Sequence, residues 1–110
     1  MVDISQLYTE IVRQGDILLK KIPEISKDAK PIQRGGIIEE GEATNHFHRL
    51  PANASKFYET NQGQLLIEVE QASQITHEDH LPVFTPEGTF EVVKEREFDY
   101  GTYVDRIVRD

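Results

Sequence analysis

The sequence predicts a mainly β protein, a small β-barrel or β-sandwich with a short N-terminal helix. Three observations carry this expectation. Short apolar runs are separated by turn signals roughly every ten residues, the spacing of all-β sandwiches and barrels. Gln64 to Glu70 alternates with a period close to two, Leu65, Ile67 and Val69 against Leu66, Glu68 and Glu70. The last run, Thr102 to Val108, is rich in β-branched residues, which favour strands.

Taken in order, Asp3 and Gln6 resemble a capping pair, and Ile4, Leu7, Tyr8 and Ile11 recur at helical spacing, so a two-turn helix is expected over residues 4 to 11. A strand starting near Ile11 is the rival reading, and extended chain is expected by Gly15-Asp16. Ile17 to Ile22 reads as a core strand ended by Pro23, and residues 24 to 34 as a loop or ragged edge. Gly35-Gly36 precedes a short strand, Ile37 to Glu40, and Gly41 permits a turn or bulge. Extended chain over Asn45 to Leu50 would set His46, His48 and Leu50 on one face, Phe47 and Arg49 on the other. After the loop Pro51 to Ser55 come a brief strand, Lys56 to Glu59, the turn Asn61-Gln62-Gly63 and the alternating run already described. Ala72 to Thr76 leads to His77-Glu78-Asp79-His80, and Pro82 biases Leu81 towards extended chain. Pro86-Glu87-Gly88 is a turn before a strand over Thr89 to Phe98, with Phe90 and Val92 on one side and Val93 on the other. Asp99-Tyr100-Gly101 turns into the final strand, whose Asp105 and Arg106 mark it as an edge.

The chain of 110 residues is sized for one domain spanning residues 1 to 110, able to bury somewhat under about 70% of its unfolded surface. Acidic residues outnumber basic ones 20 to 12, a net charge of −8, which repels phosphate backbones and disfavours nucleic-acid binding. The absence of cysteine removes disulfides, thiolate metal sites and thiol nucleophiles. No run approaches the roughly 18 apolar residues of a membrane span and no signal peptide opens the chain, so a cytoplasmic protein without membrane contact is expected.

All four histidines lie in two short segments, His46-Phe47-His48 and His77-Glu78-Asp79-His80. Neutral imidazole is a strong ligand for zinc, iron, nickel and copper. His46 and His48, two apart on a strand, face the same way. His77 and His80 would diverge on a strand, but a turn brings residues at that spacing within about 7 Å of each other. Four imidazoles leave a cation's charge uncompensated, so Glu78, Asp79, Glu42 or Glu39 is expected to enter as a ligand or to hold an Nδ1 proton. The expected site is therefore a divalent transition metal, zinc before iron, nickel or manganese, on His46, His48, His77 and His80. If the site is catalytic, Glu78 or Glu42 would be the general base beside a Lewis-acidic ion or an activated water. The bland alternative is that these histidines make ordinary hydrogen bonds at one end of the fold.

The segment Gly41-Glu42-Ala43-Thr44-Asn45-His46-Phe47-His48, with a later histidine ahead of Pro86-Glu87-Gly88, resembles the two-part signature of cupins. That resemblance implies a jelly-roll barrel with a metal at its mouth, held by His46, His48 and His77 or His80. The glutamate that the family places four or five residues after the pair is absent, since Ala52 and Asn53 stand there. Arg13 to Leu19 and Arg96-Glu97-Phe98 also resemble a group of short uncharacterised proteins of bacteria and their phages, a likeness that implies no activity.

Other patterns point less far. The glycines form no phosphate-cradling loop, and no serine sits in a nucleophile-elbow context. Glu39-Glu40, Glu68 and Glu70 read as the solvated faces of strands. The competing functional class is a non-catalytic interaction or inhibitor protein, phage-borne in one version, whose acidic surface engages a basic protein partner. The edge-like final strand suggests a homodimer.

Overall fold

The computed structural model describes residues 11–40 and 46–94. The chain forms ten strands among these residues: β1 Ile11–Gln14, β2 Ile17–Ile22, β3 Lys30–Ile32, β4 Ile37–Glu40, β5 Phe47–Arg49, β6 Ser55–Glu59, β7 Leu65–Val69, β8 Ser73–His77, β9 His80–Thr85 and β10 Gly88–Lys94. A single turn of 3-10 helix, Ala52–Ala54, precedes β6. The strands build two antiparallel sheets. One has six strands in the order β1-β2-β10-β7-β6-β3, the other four in the order β4-β5-β8-β9.

One hydrophobic core unites residues of both sheets, in the manner of a β-sandwich. From the larger sheet come Val12, Ile17, Leu19, Phe57, Ile67, Val69 and Phe90; from the smaller come Ile38 and Ile75, with Leu50 just beyond β5. The alternation in β7 places Ile67 and Val69 in this core, as its period of two requires, and Leu66 is buried on the opposite face. β2 lies inside the sheet between β1 and β10 and begins with three consecutive buried residues, Ile17, Leu18 and Leu19, so it is covered on both faces there.

The structure corrects several expectations. Neither sheet closes into a barrel; each keeps two edge strands among the described residues. Residues 4 to 10 of the expected N-terminal helix lie outside the described residues, and Ile11 opens β1, so the strand reading holds at that end. Residues 30 to 32, inside the stretch expected as a loop or ragged edge, form β3 at the edge of the larger sheet, and His80 to Thr85, where only Leu81 is expected to be extended, form β9 at the edge of the smaller. Both contain a proline, Pro31 and Pro82, which lacks the N–H that a central strand must donate; an edge is where such residues are tolerated. The bulge expected at Gly41 falls outside the described residues, but the β4–β5 register shifts between Ile37 and Glu39. The last strand, Thr102 to Val108, and the homodimer argued from it also lie outside the described residues. No helix is long and apolar enough to cross a membrane among those residues.

Candidate functional site

Three local structures converge at one end of the smaller sheet. The first is β5, which carries His46 at its threshold and His48 within it. His48 is essentially inaccessible to solvent and Leu50 is buried, whereas Arg49 is exposed, as period-two chain requires. The second is the β8–β9 hairpin, whose two-residue turn, Glu78-Asp79, makes His77 and His80 cross-strand partners. The third is the β1–β2 hairpin, turning at Gly15-Asp16 with Gln14 opposite Ile17.

The two histidine segments meet. Ring centroids lie 4.3 Å apart for His48 and His77, 4.7 Å for His77 and His80, 5.8 Å for His48 and His80, and 5.9 Å for His46 and His77. His77 sits at the centre, next to each of the other three. Its Nδ1 accepts a hydrogen bond from the Asp79 backbone N–H at 3.0 Å. Its Nε2 is shielded from solvent and has no hydrogen-bond partner among the described residues. Such an orphan is uncommon, because a buried polar atom without a partner costs about 1–3 kcal/mol. His46, more exposed, pairs through Nδ1 with the Asp79 carboxylate.

His48 is held by residues that the histidine spacing does not reveal. Gln14, buried at the end of β1, donates through Nε2 to the carbonyls of Ile75 and Leu81, each at 3.0 Å, which ties β1 to β8 and β9. With both amide protons committed, its Oε1 faces His48 Nδ1 at 2.8 Å and can only accept. His48 therefore carries its proton on Nδ1. Its other nitrogen, Nε2, stands 3.2 Å from Asp16 Oδ1. Burial first, then the charges of His77 and His80, hold the His48 pKa below its ordinary 6.5 against the opposing pull of Asp16. Neutral His48 thus turns a lone pair towards a carboxylate, an arrangement that favours a cation or a proton between them.

The expected acids have varied places. Glu78 is directed at β5: Oε1 accepts from the Phe47 backbone N–H at 2.8 Å and Oε2 lies 3.6 Å from Arg49. The first of these bonds is the largest cause of its lowered pKa. Its carboxylate docks the hairpin, a task that competes with the general-base role expected for it. Glu39 is turned away into an ion pair with Lys94 at 2.7 Å, and Glu42 lies outside the described residues. Asp79 is at the cluster through His46. No three histidine, aspartate or glutamate side chains among the described residues converge closely enough to hold an ion as they stand. A shared ion therefore requires His77 and the exposed His80 to turn towards His48. Two open clefts, of about 380 Å³ beside Lys56 and Tyr58 and about 580 Å³ beside Gln64 and Lys94, contain none of the histidines.

A family model for a domain of unknown function, DUF8820, matches residues 13–95. The chain belongs to the DUF8820 family. The match takes in Gln14, Asp16 and all four histidines, so the whole cluster lies inside the DUF8820 domain. No curated protein and no solved structure matches the chain.

Gln14 and Asp16 escaped the sequence reading. The signal that could have found them is Gly15-Asp16 between two apolar runs, a two-residue hairpin pattern. The helical spacing of Ile4 to Ile11 drew the boundary away from it.

Proposed function

We propose that this domain binds a divalent transition metal, zinc foremost, at the histidine cluster. One observation carries the reading: the fold gathers every histidine of the chain around His77, whose buried Nε2 has no partner among the described residues. The way Gln14 holds His48 adds support, since metal-binding histidines characteristically donate their second ring nitrogen to a fixed acceptor, here Oε1. For His77 to coordinate through Nε2 it must give up a proton there, because Nδ1 now accepts from Asp79. That exchange disturbs only one short-range, exposed hydrogen bond, which water can replace. His46, held by Asp79 and 5.9 Å from His77 between ring centroids, is the farthest of the three rings around His77.

The alternative of a non-catalytic interaction module draws on Leu81 and Phe84, exposed on β9. Single exposed apolar residues are ordinary on protein surfaces, so the histidine cluster is the stronger signal.

Titration calorimetry of untagged, chelator-treated protein with Zn2+ tests the metal reading. The expected result is uptake of about one equivalent with release of protons, detected as a heat that varies with the ionisation enthalpy of the buffer. Uptake below about a tenth of an equivalent removes the reading.

A further inference from the structure

We propose that Asp16 is the carboxylate ligand of this site, completing with His48, His77 and His80 a set of three imidazoles and one carboxylate. The assignment rests on the metal reading above and deepens it. A carboxylate is favoured on charge grounds, because neutral imidazoles leave both charges of a divalent ion uncompensated in a partly buried place. The acid expected shortly after His48 is missing from the sequence, and Glu78 and Glu39 are engaged with Phe47 and Lys94.

Asp16 is the acid that the fold presents to the inner nitrogen of a cluster histidine. Its Oδ1 faces His48 Nε2 at 3.2 Å, across 32 residues of sequence. Gln14 is the positioning residue in this arrangement. By accepting a hydrogen bond from Nδ1–H, it fixes the tautomer of the neutral ring, whose Nε2 lone pair then faces the carboxylate. Two acceptors set against each other bind nothing between them except a proton or a cation.

The intervening residue supplies an independent observation. Gly15 has φ +60°, and a Cβ built on it would lie 2.7 Å from His80 Nε2 and 3.2 Å from His48 Cε1, the carbon next to Nε2. The β1–β2 turn therefore packs so close to the nitrogen-bearing edges of both rings that no side chain fits between them. His77 Nε2, buried and without a partner among the described residues, belongs to a ring tilted against both, with centroids 4.3 Å from His48 and 4.7 Å from His80. A glycine where the rings need space, followed by a carboxylate aimed at their nitrogens, makes this turn one wall of the site rather than a bystander.

The test compares the full chain with its Asp16→Asn variant, both stripped by chelator. Zn2+ affinity is measured by competition with a chromophoric chelator, and Co2+ uptake by visible absorption. Asparagine suits the same turn, so the variant is expected to fold; should it not, Asp16→Ser takes its place. Loss of the carboxylate is expected to weaken Zn2+ binding at least about tenfold, with a change in the position and intensity of the Co2+ bands. Affinity within about twofold of the parent, with superimposable Co2+ spectra, would overturn the assignment of Asp16 and leave the metal reading standing. A parent protein that takes up neither ion would overturn both.

Discussion

At the scale of single residues, His48 concentrates the physical tension of the site. It is buried, neutral by virtue of that burial and of the neighbouring His77, and pinned by Gln14. A histidine whose folded pKa lies below its unfolded value of about 6.5 binds protons more readily when the chain unfolds. Its contribution to stability is therefore complete above pH 6.5 and is lost as pH falls from there through the folded pKa. Urea unfolding of the metal-free protein between pH 5 and pH 8 should show stability rising with pH below neutrality, by up to about 1.4 kcal/mol per pH unit for one site. In His48→Gln, which keeps a polar group beside Gln14, that part of the slope should vanish; an unchanged slope would place the titrating group elsewhere. Four histidines in two segments were legible because a scarce residue type was concentrated. Gln14 and Asp16 were not, because a glutamine and an aspartate in an acidic chain acquire meaning only when a hairpin turns them towards another strand.

At the scale of elements, the strands that packing determines could be read from sequence and those that only edges determine could not. β7 carries its core residues in a period-two pattern that fixes which face is buried, and β2 is marked by a short apolar run ended by Pro23. β3 and β9 hold a proline each, pair on one side only and expose much of their length, so no periodicity distinguishes them from loop. Gly36 shows an element boundary set by close packing. Its carbonyl accepts from Leu50 N–H at 2.8 Å, its φ is +86°, and a Cβ would lie 2.1 Å from the Leu50 carbonyl oxygen. Since that oxygen belongs to the backbone, no side chain can swing away to make room. Gly36→Ala should destabilise the fold by about 3 kcal/mol or more, measured by urea denaturation, through combined backbone strain and steric conflict. At Gly35, one residue earlier, φ is +61° but nothing lies within 4 Å, so alanine should cost only about 1 kcal/mol there. Equal costs at the two positions would refute the packing account.

At the scale of the whole molecule, the histidine cluster sits where separate parts of the chain are joined. β1 belongs to the larger sheet, whereas β5, β8 and β9 belong to the smaller, and Gln14 already links them through Ile75, Leu81 and His48. An ion held by His48, His77, His80 and Asp16 would cross-link the same three segments and so bind the folded state far better than the unfolded one. Zn2+ free at a hundred times its Kd then stabilises the fold by about 2.7 kcal/mol. For a domain of this size that corresponds to a rise in melting temperature of roughly 8–15 °C, reversed by excess chelator. His80 and His48 should separate the site from the scaffold. His80 is exposed, so His80→Ala should leave the metal-free melting temperature within a few degrees of the parent while removing most of the zinc-dependent rise. His48→Ala should lower the metal-free melting temperature as well, because it strands the Gln14 oxygen in the interior. Differential scanning calorimetry with and without Zn2+ measures both effects. A His80→Ala protein that keeps the full zinc-dependent rise would show that His80 is not one of the ligands.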